Sequence, residues 1–245
     1  MTPLRVLLVG GTGGIGSALA RMLVQGGARV FLAARDPARL ATLADELGAA
    51  GTAVDATDPD RLDACADAAA AALGGLDGIV NCAGSLLLKP AHLTTTADWQ
   101  ATIATNLTSG FGCVRAAGRL MKEHGGAVVL VSSAAARVGL ANHEAIAAAK
   151  AGIIGLVRSA AATYARQGVR FNAVAPGLVR TPLTRGLVAS ELAEKASVGM
   201  HPLGRLGEPE DVARAIAWLL DPAQGWITGQ VLGVDGGLAD LKTRS

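Results

Sequence analysis

The chain has 245 residues, a formal net charge of +2 and a single tyrosine. This length suits one large α/β domain over 1–245, and the dispersed charges exclude the basic surface that nucleic acids or anionic membranes require. Cys65, Cys82 and Cys113 have neither metal-ligand spacing nor an even count, which indicates buried reduced thiols and no metal site. We find neither a secretory signal nor an uninterrupted apolar run of about 18 residues, and we therefore expect a soluble cytoplasmic protein.

In chain order, short apolar runs alternate with longer alanine-rich segments. The apolar runs are predicted strands, at 4–9, 28–34, 52–54, 76–82, 126–133, 169–175 and 230–235. The longer segments are predicted helices, near 14–25, 37–48, 59–73, 97–123, 143–167 and 209–220. Because the strands are nearly all apolar rather than alternating, they suit a parallel sheet covered on both faces. The sequence therefore predicts an α/β fold, a Rossmann-like doubly wound parallel sheet of about seven strands with helices on both faces.

The segment 178–208 departs from this alternation. It contains two prolines, several glycines and only a weak helical pattern. These features indicate an excursion over a site, which is either a mobile substrate lid or a variable surface loop.

A glycine-rich stretch, GGTGGIG at 10–16, lies between the first strand and the first helix. Glycines there allow a tight turn, bring backbone N–H groups to a pyrophosphate and let the helix, whose amino end faces the phosphates, pack on the sheet. Structural turns often look similar, but the strand–turn–helix context favours a nucleotide site. The predicted binding residues in this stretch are Gly10, Thr12, Gly14, Ile15 and Gly16.

The end of the second strand indicates which nucleotide binds. A carboxylate there would bind the ribose 2′-hydroxyl of NAD, but the chain has Ala34 followed by Arg35. A guanidinium offers several donors to a 2′-phosphate, so the sequence favours NADP(H) over NAD(H). The alternatives are a solvated surface arginine, or an exchange of roles with Asp36 if the strand end lies one residue away.

Further motifs follow in order along the chain. They are AVDATD at 53–58, NCAG at 81–84, an asparagine at 106 seven residues after a tryptophan, RFNAVAPGLVRTPL at 170–183 and ITGQVLGVDGG at 227–237. With the glycine motif, they resemble the short-chain dehydrogenase/reductase family over essentially the whole chain, and most closely its 3-oxoacyl-thioester reductases and related ketoreductases.

This resemblance implies further cofactor contacts. The Asp55 side chain and the Ala56 backbone would hold the adenine, and a segment from Pro176 to Thr181 would lie against the nicotinamide end. Asn106 would support a bound water in a proton relay. The additional cofactor residues that the resemblance implies are Asp55, Ala56, Asn81, Ala83, Gly84, Lys150, Pro176, Gly177, Val179 and Thr181.

The resemblance also implies a catalytic serine, tyrosine and lysine. Ser133 and Lys150 have the spacing that the family shows between its catalytic serine and lysine. Position 146, where the family has the tyrosine, is isoleucine. In the family, the lysine holds the nicotinamide ribose and lowers the phenol pKa from about 10, which makes the tyrosine a usable proton donor. Tyr164 lies fourteen residues beyond Lys150, about 21 Å along a helix, and cannot replace the missing phenol. The implied catalytic residues that remain are Ser133, Lys150 and Asn106.

Because position 146 is isoleucine, the sequence does not identify the group that donates the proton. If the protein is an NADP-dependent oxidoreductase that reduces a ketone or 3-oxoacyl carbonyl, the proton comes from His143, from Lys150 or from a water held by Ser133 and Asn106. His143 lies seven residues before Lys150 on the same helix face, and an imidazole titrates near pH 6.5. A histidine at a helix start is, however, more often a cap or a surface residue.

Two other functions are compatible with the same residues. One is an NADP-binding sensor, scaffold or partner subunit without hydride chemistry, since loss of a general acid typically costs a factor of about 10²–10⁴. The other is a dehydratase or isomerase that uses His143 or Glu144 as a base, although Glu144 also suits the helix amino end. The sequence favours the oxidoreductase, because a pure binding protein needs fewer of Ser133, Asn106, Lys150 and Thr181.

The expected partners are a small-molecule or acyl-thioester substrate and further copies of the chain. Substrate contacts are expected from Leu86, Leu87, Ile146 and the 183–203 segment, although each of these also suits ordinary core. The family resemblance implies a homodimer or homotetramer that pairs the long helices 97–123 and 143–167, whose alanine- and glycine-rich faces suit close packing.

Overall fold

Seven apolar segments form one parallel sheet in the computed structural model, which describes residues 3–242. They are β1 (Arg5–Val9), β2 (Arg29–Ala34), β3 (Ala50–Ala53), β4 (Gly78–Asn81), β5 (Gly126–Val131), β6 (Val169–Pro176) and β7 (Val231–Val234). Their order across the sheet is β3-β2-β1-β4-β5-β6-β7, with β4 in the centre. Every neighbouring pair is parallel. The predicted Rossmann-like sheet is confirmed.

The helices lie between the strands along the chain. They are α1 (Gly14–Gln25), α2 (Pro37–Leu47), α3 (Pro59–Leu73), α4 (Thr96–Ile103), α5 (Ser109–Leu120), α6 (Glu144–Tyr164), α7 (Glu191–Gly199) and α8 (Pro209–Leu220). The single helix predicted over 97–123 is wrong in two respects, because a π-helical turn at Ala104–Thr108 divides it and it ends at Leu120. One extra residue in that turn widens the helix around Asn106, and π-helical turns often mark functional sites.

Successive residues of β1 explain why the strands are apolar throughout. Leu7 and Val9 belong to a buried cluster under α3, α5 and α6, whereas Val6 and Leu8 belong to one under α1, α2 and α8. Side chains of a strand point alternately to opposite faces, so a sheet covered on both faces needs apolar residues at every position. All carboxyl ends of the parallel strands reach the same edge of the sheet, where the candidate site lies.

Helix α6 bears on the expectation about membranes. With the turn that follows it, over Glu144–Gln167, it is long and apolar enough to cross a membrane by length and composition alone. The sequence analysis missed it because Lys150 and Arg158 interrupt its apolar run. Ile153 and Val157 of this helix are buried in the core beside the sheet. Core helices of soluble proteins pass the same criteria, so the observation is weak evidence for a membrane span.

The excursion at 178–208 is ordered around one more helix, α7, and a 3₁₀ turn at Arg185–Val188. Val179 and Gly207, near its two ends, form an isolated parallel bridge. Both ends of the excursion therefore meet beside the carboxyl end of β6, and His201 and Leu206 of the intervening residues are buried. Its role as a substrate lid stays a prediction.

Candidate active site

A cavity of about 740 Å³ opens at the carboxyl edge of the sheet, and the glycine-rich stretch lies in its wall. Most of the residues predicted to bind a cofactor meet there. Those that line it are Gly10, Thr12, Gly14, Ile15, Gly16, Arg35, Asp55, Ala56, Ala83, Gly84 and Thr181. The cavity thus joins the ends of β1, β2 and β4 to the start of the 178–208 excursion.

Two of these glycines are required by close approaches, of backbone at Gly10 and of the Thr181 side chain at Gly14. Gly10 has φ of +74°, and a Cβ there would lie 2.7 Å from the Cys82 carbonyl carbon. A Cβ at Gly14 would lie 2.7 Å from Cγ2 of Thr181. Distances this short are essentially not tolerated, so larger residues would push the turn away from the sheet and from Thr181.

Helix α1 begins at this cavity without a side-chain cap. Gly13 occupies its N-cap position and makes no side-chain hydrogen bond, whereas α2, α3, α4 and α7 are capped by Asp36, Asp58, Thr95 and Ser190. The first-turn N–H groups of α1 are therefore free of side-chain acceptors. Unpaired amides at a helix amino end, together with the helix dipole, favour a bound anion such as a pyrophosphate.

Two arginines and two carboxylates line the far end of the cavity. Arg35 directly follows β2, as expected, and the Asp36 carboxylate instead accepts hydrogen bonds from the N–H groups of Ala38 and Arg39. Asp36 is thus engaged as the N-cap of α2. The Arg39 guanidinium donates to the Thr12 carbonyl and also lines the cavity, which places two arginines at this end.

Asp55 faces the same end of the cavity. Its Oδ1 accepts hydrogen bonds from the backbone N–H and the hydroxyl of Thr57, at 3.0 and 2.9 Å. These bonds, with a smaller contribution from the charge of Arg35, lower the pKa of the Asp55 carboxyl. An ionised carboxylate with its second oxygen free can accept a hydrogen bond from an adenine amino group.

Asn81 shapes the turn after β4 and does not line the cavity. Its buried amide donates to the Ser109 hydroxyl at 2.8 Å, and its Oδ1 accepts from the Ala83 N–H at 3.0 Å. The neighbouring Cys82 lines the cavity instead. Burial raises the pKa of the Cys82 thiol to about 12, so this group stays neutral.

Lys150 lies beneath the cavity, in the interface between α6 and the sheet. Its Nζ donates to the Val131 carbonyl at 2.8 Å, and its own carbonyl accepts from the Ser132 hydroxyl at 2.8 Å. Burial lowers the pKa of Lys150 to about 8. A Cβ at Gly84 would lie 3.3 Å from Asn106 Oδ1 and 3.8 Å from Lys150 Nζ, so both side chains approach the same glycine.

Both the oxygen and the nitrogen of the Asn106 side-chain amide make hydrogen bonds within the protein. Oδ1 accepts from the Ser85 N–H at 3.1 Å, and Nδ2 donates to the Ser85 hydroxyl and to the Thr102 carbonyl. Asn106 therefore holds the loop after β4 against the π-helical turn. Its support of a bound water stays a prediction.

Ser133 and Ile146 occupy the two positions next to Lys150 in the family pattern. The Ser133 hydroxyl oxygen accepts from the Ala135 N–H at 3.1 Å, and its hydrogen remains available for a substrate oxygen. Ile146 is buried, with 4% of its surface exposed. Tyr164 stacks near Phe171, with ring centroids 5.6 Å apart, in the core beyond the other end of α6. It does not reach the site.

His143 and Glu144 stand at the amino end of α6 and make separate contacts. His143 precedes the helix, and its Nδ1 lies 2.7 Å from the Ala141 carbonyl. The Glu144 carboxylate accepts a long bond, 3.4 Å, from the Ala91 N–H. Neither residue lines the cavity described above. The structure thus brings Lys150 and Asn106 to Gly84, and Ser133, Ile146, Lys150 and His143 are all outside the residues that line the cavity.

The Pro-Gly segment reaches the cavity only at its end. Val179 is buried, with 4% of its surface exposed, and Gly177 packs against the His201 ring, while Thr181 lines the cavity. Sequence reasoning missed Arg39, Cys82, Thr105 and His201. Arg39, one turn after Arg35 at a helix start, carried a usable signal of charge and spacing; the other three depend on the folding of the chain.

Comparison with known proteins agrees with this geometry. The family model described as Enoyl-(Acyl carrier protein) reductase matches residues 10–239. A cis-4-hydroxycyclohexanecarboxylate dehydrogenase of Sinomonas cyclohexanicum is 43% identical over 94% of both chains. The 3-oxoacyl-[acyl-carrier-protein] reductase FabG of Vibrio cholerae is 36% identical over 95% of this chain and 96% of the relative. A protein named inactive 2-(S)-hydroxypropyl-CoM dehydrogenase 2, from Xanthobacter autotrophicus, is 37% identical over 91% of this chain and 100% of its own length.

Solved structures show the same fold. A short-chain type dehydrogenase/reductase from Mycobacterium ulcerans superposes with a TM-score of 0.92 at 32% identity, covering 97% of this chain and 91% of the other. ElxO with NADP bound superposes with a TM-score of 0.91 at 30% identity, covering 97% and 99%. A tyrosine-to-phenylalanine variant of ElxO, with NADPH bound, matches equally well, with a TM-score of 0.91 and the same coverage.

Proposed function

Since this chain belongs to the short-chain dehydrogenase/reductase family, we propose that it is an NADP-dependent oxidoreductase that reduces a ketone or 3-oxoacyl carbonyl to an alcohol without a catalytic tyrosine. The observation that carries the proposal is the cavity at the strand ends, which joins an uncapped helix amino end to two arginines. Ser133 and Lys150 stand in their family positions beside it, with Ile146 between them. Members of this family are oxidoreductases that use a nicotinamide cofactor.

The chain's own residues fit the coenzyme. The first-turn amides of α1 bind the pyrophosphate, and Asp55 with the Ala56 backbone holds the adenine. Arg35, supported by Arg39, binds the 2′-phosphate with the planar donors of a guanidinium. Lys150 holds the nicotinamide ribose. The bound coenzyme supplies a hydride.

The 2′-phosphate proposal is supported by charge at the adenosine end. Asp36, the carboxylate after Arg35, uses its Oδ1 to cap α2, and the neighbouring Arg35 and Arg39 offer donors to a 2′-phosphate. The ElxO structures that this chain resembles contain NADP or NADPH. One of them lacks the tyrosine hydroxyl, which indicates that coenzyme binding in such a fold does not require it.

Ser133 and a solvent molecule complete the reaction in our proposal. The Ser133 hydroxyl donates to the substrate carbonyl oxygen, and the proton reaches that oxygen from His143 or from a water beside Ser133. The contact of the His143 ring with the Ala141 carbonyl, which occupies one of its two ring nitrogens, favours the water. Without the phenol, the expected rate is about 10²–10⁴ lower than in a complete site.

The substrate proposed is a small alicyclic or acyl ketone. The curated relatives include a dehydrogenase of a hydroxycyclohexane carboxylate and a reductase of 3-oxoacyl groups on acyl carrier protein. Apolar side chains at Leu86, Leu87 and Leu183 suit the carbon skeleton of either substrate, and the 178–208 excursion covers it as a lid.

A second candidate function follows from Ile146. In it the chain binds NADP without hydride chemistry, as a sensor, scaffold or partner subunit. The relative from Xanthobacter autotrophicus that is named inactive supports the existence of such members at this level of identity.

We further propose a cytoplasmic homo-oligomer, a homodimer or homotetramer, paired through α4, α5 and α6. Trp99 on α4 and Phe111 on α5 expose 43% and 47% of their surfaces. On α6, the exposed residues Ala148, Ala151 and Gly155 are small and follow each other at helical spacing. A large apolar side chain beside a small-residue helix face is suited to close packing with a second copy.

One experiment separates the two functions. Purified protein is titrated with NADPH and NADH, and NADPH oxidation is followed with a panel that contains 4-oxocyclohexanecarboxylate and 3-oxoacyl thioesters. The oxidoreductase proposal expects tight NADPH binding and slow turnover of at least one ketone. Tight binding with no turnover supports the second function, and absence of binding contradicts both.

A further inference from the structure

His201 lies outside the coenzyme cavity, yet only 3% of its surface is exposed. It follows α7, and its ring lies between that helix and the segment that leaves β6. Nδ1 lies 2.8 Å from the Ser197 carbonyl oxygen, and Nε2 lies 3.1 Å from the backbone nitrogen of Leu178. Because a carbonyl only accepts and a backbone N–H only donates, the ring donates from Nδ1 and accepts at Nε2. Both ring nitrogens are therefore used, in one defined tautomer.

The glycine at 177 makes this contact possible. A Cβ there would lie 2.7 Å from His201 Nε2 and 3.1 Å from the Asp235 Cα. The ring thus packs on bare backbone, between β6 and the residues after β7. Because Gly177 has no side chain, the His201 ring can lie against it, and this contact fixes the position of the chain directly after β6.

The chain segment that follows Leu178 leads to the coenzyme cavity. Leu178 precedes Val179, which is bridged to Gly207, and Thr181 then reaches the cavity wall against Gly14. Leu178, whose N–H donates a hydrogen bond to His201, therefore lies three residues before Thr181, whose side chain approaches the glycine-rich turn. On the other side, Ser197 lies in the last turn of α7, and its carbonyl accepts from the Met200 N–H as well as from His201.

We propose that His201 is a positioning residue: by accepting the Leu178 N–H and donating to Ser197, it holds the 178–181 segment, and with it Thr181, against the nicotinamide half of the coenzyme. The inference rests on the proposed function, because it concerns that coenzyme site. His201 touches neither substrate nor coenzyme and acts through the backbone of Leu178. It also links α7, the helix of the excursion, to the wall of the cavity.

Two substitutions separate the two hydrogen bonds of the ring. In His201→Asn, the amide nitrogen can replace Nδ1 and donate to Ser197, but the Leu178 N–H loses its acceptor. In His201→Gln, the amide oxygen can reach the position of Nε2 and accept from Leu178. The readout is the dissociation constant of NADPH compared with that of adenosine 2′,5′-bisphosphate, which has the adenosine half alone.

We expect His201→Asn to raise the dissociation constant of NADPH about tenfold, because one buried N–H is left unpaired. The dissociation constant of the bisphosphate should stay unchanged. His201→Gln should keep the NADPH affinity of the parent. Equal weakening of both ligands by His201→Asn, or equal NADPH affinities in both variants, would overturn the proposal. So would an unchanged NADPH affinity in His201→Asn.

Two controls keep the outcomes distinct. If the parent protein binds neither ligand, the proposed function fails and this inference fails with it; if the parent binds both but His201→Asn behaves like the parent, only this inference fails. Thermal unfolding of each variant reports on folding. Should His201→Asn not fold, His201→Gln decides the question, because a changed ratio of the two affinities in that variant contradicts the role assigned to the Leu178 contact.

Discussion

Lys150 and Ile146 lie one turn apart on α6, and both side chains are buried, with 6% and 4% of their surfaces exposed. The lysine amine donates to the Val131 carbonyl, and no hydroxyl-bearing side chain occupies the position one turn before it. The structure therefore combines a coenzyme cavity with a buried amine that has an aliphatic neighbour. The predictions below test what each of these groups does.

Restoring a phenol at position 146 should restore the proton donor. We expect Ile146→Tyr to raise kcat for carbonyl reduction about 10²-fold, because the hydroxyl would lie beside the Lys150 charge. Ile146→Phe is the matched control, since it introduces nearly the same volume into a buried position, with the same overpacking cost of about 1–3 kcal/mol, but no hydroxyl. Equal rates in the Tyr and Phe variants would show that position 146 cannot deliver the proton.

Removal of the His143 imidazole should have little effect on rate. Its ring is bonded to the Ala141 carbonyl at the start of α6, and His143 does not line the coenzyme cavity. We expect His143→Ala to keep kcat within about threefold of the parent, whereas loss of a true general acid costs about 10²–10⁴. A loss of that size, measured by NADPH oxidation with an unchanged NADPH affinity, would identify His143 as the donor.

Lys150 should make a contribution to stability that rises with pH above about 8, and the difference between the parent and Lys150→Met isolates it from the opposite contribution of the buried cysteines. The pKa of Lys150 is near 8 in the folded protein and near 10.5 in the unfolded chain, so between these values the unfolded state binds more protons. Stability rises with pH wherever the unfolded state binds more protons, here by about 3 kcal/mol across the whole window. Urea unfolding of the parent and of Lys150→Met from pH 7 to 10.5 measures the difference.

The matched control for this experiment is Lys89→Met. Lys89 is a surface lysine paired with Asp98, and its removal should leave the pH dependence of stability parallel to that of the parent. Parallel curves for Lys150→Met and the parent would mean that Lys150 titrates in the folded protein as it does in the unfolded chain.

Arg35 should select the coenzyme. Arg35→Ala is expected to raise the dissociation constant of NADPH at least tenfold, since a charge-assisted hydrogen bond to the 2′-phosphate is worth about 1.5–3 kcal/mol, and to leave NADH binding nearly unchanged. Arg61→Ala is the control, because Arg61 is near the same edge but pairs with Asp58 and does not line the cavity. Comparable affinities of the parent for NADPH and NADH would refute the coenzyme assignment.

Phe111 should lie in the interface between copies. Phe111→Arg places a charge on the exposed face of α5 and is expected to shift the protein to a smaller species in size-exclusion chromatography with light scattering. Leu192→Arg, on α7, is the control, because Leu192 is even more exposed but lies far along the chain in the excursion. A monomeric parent protein contradicts the proposed oligomer.

Local features of this protein were determined by the sequence itself. The apolar runs, the glycine-rich turn and the bounds of α1, α3 and α8 follow from residues close together in the chain, because periodicity and turn chemistry are local properties. The spacing of Ser133, Ile146 and Lys150 also needs no structure, since four residues on a helix always place two side chains on one face.

The tertiary structure alone decided which side chains meet across distant segments. The protein contacts of Asn81 and Asn106 are of this kind, since Asn81 bonds Ser109 and the Asn106 amide bonds Ser85 and Thr102. His201, to which no motif pointed, reaches Leu178 over 23 residues. Such contacts depend on how the excursion closes onto the sheet, and hydrogen-bond partners brought together by packing leave no periodic trace in the sequence.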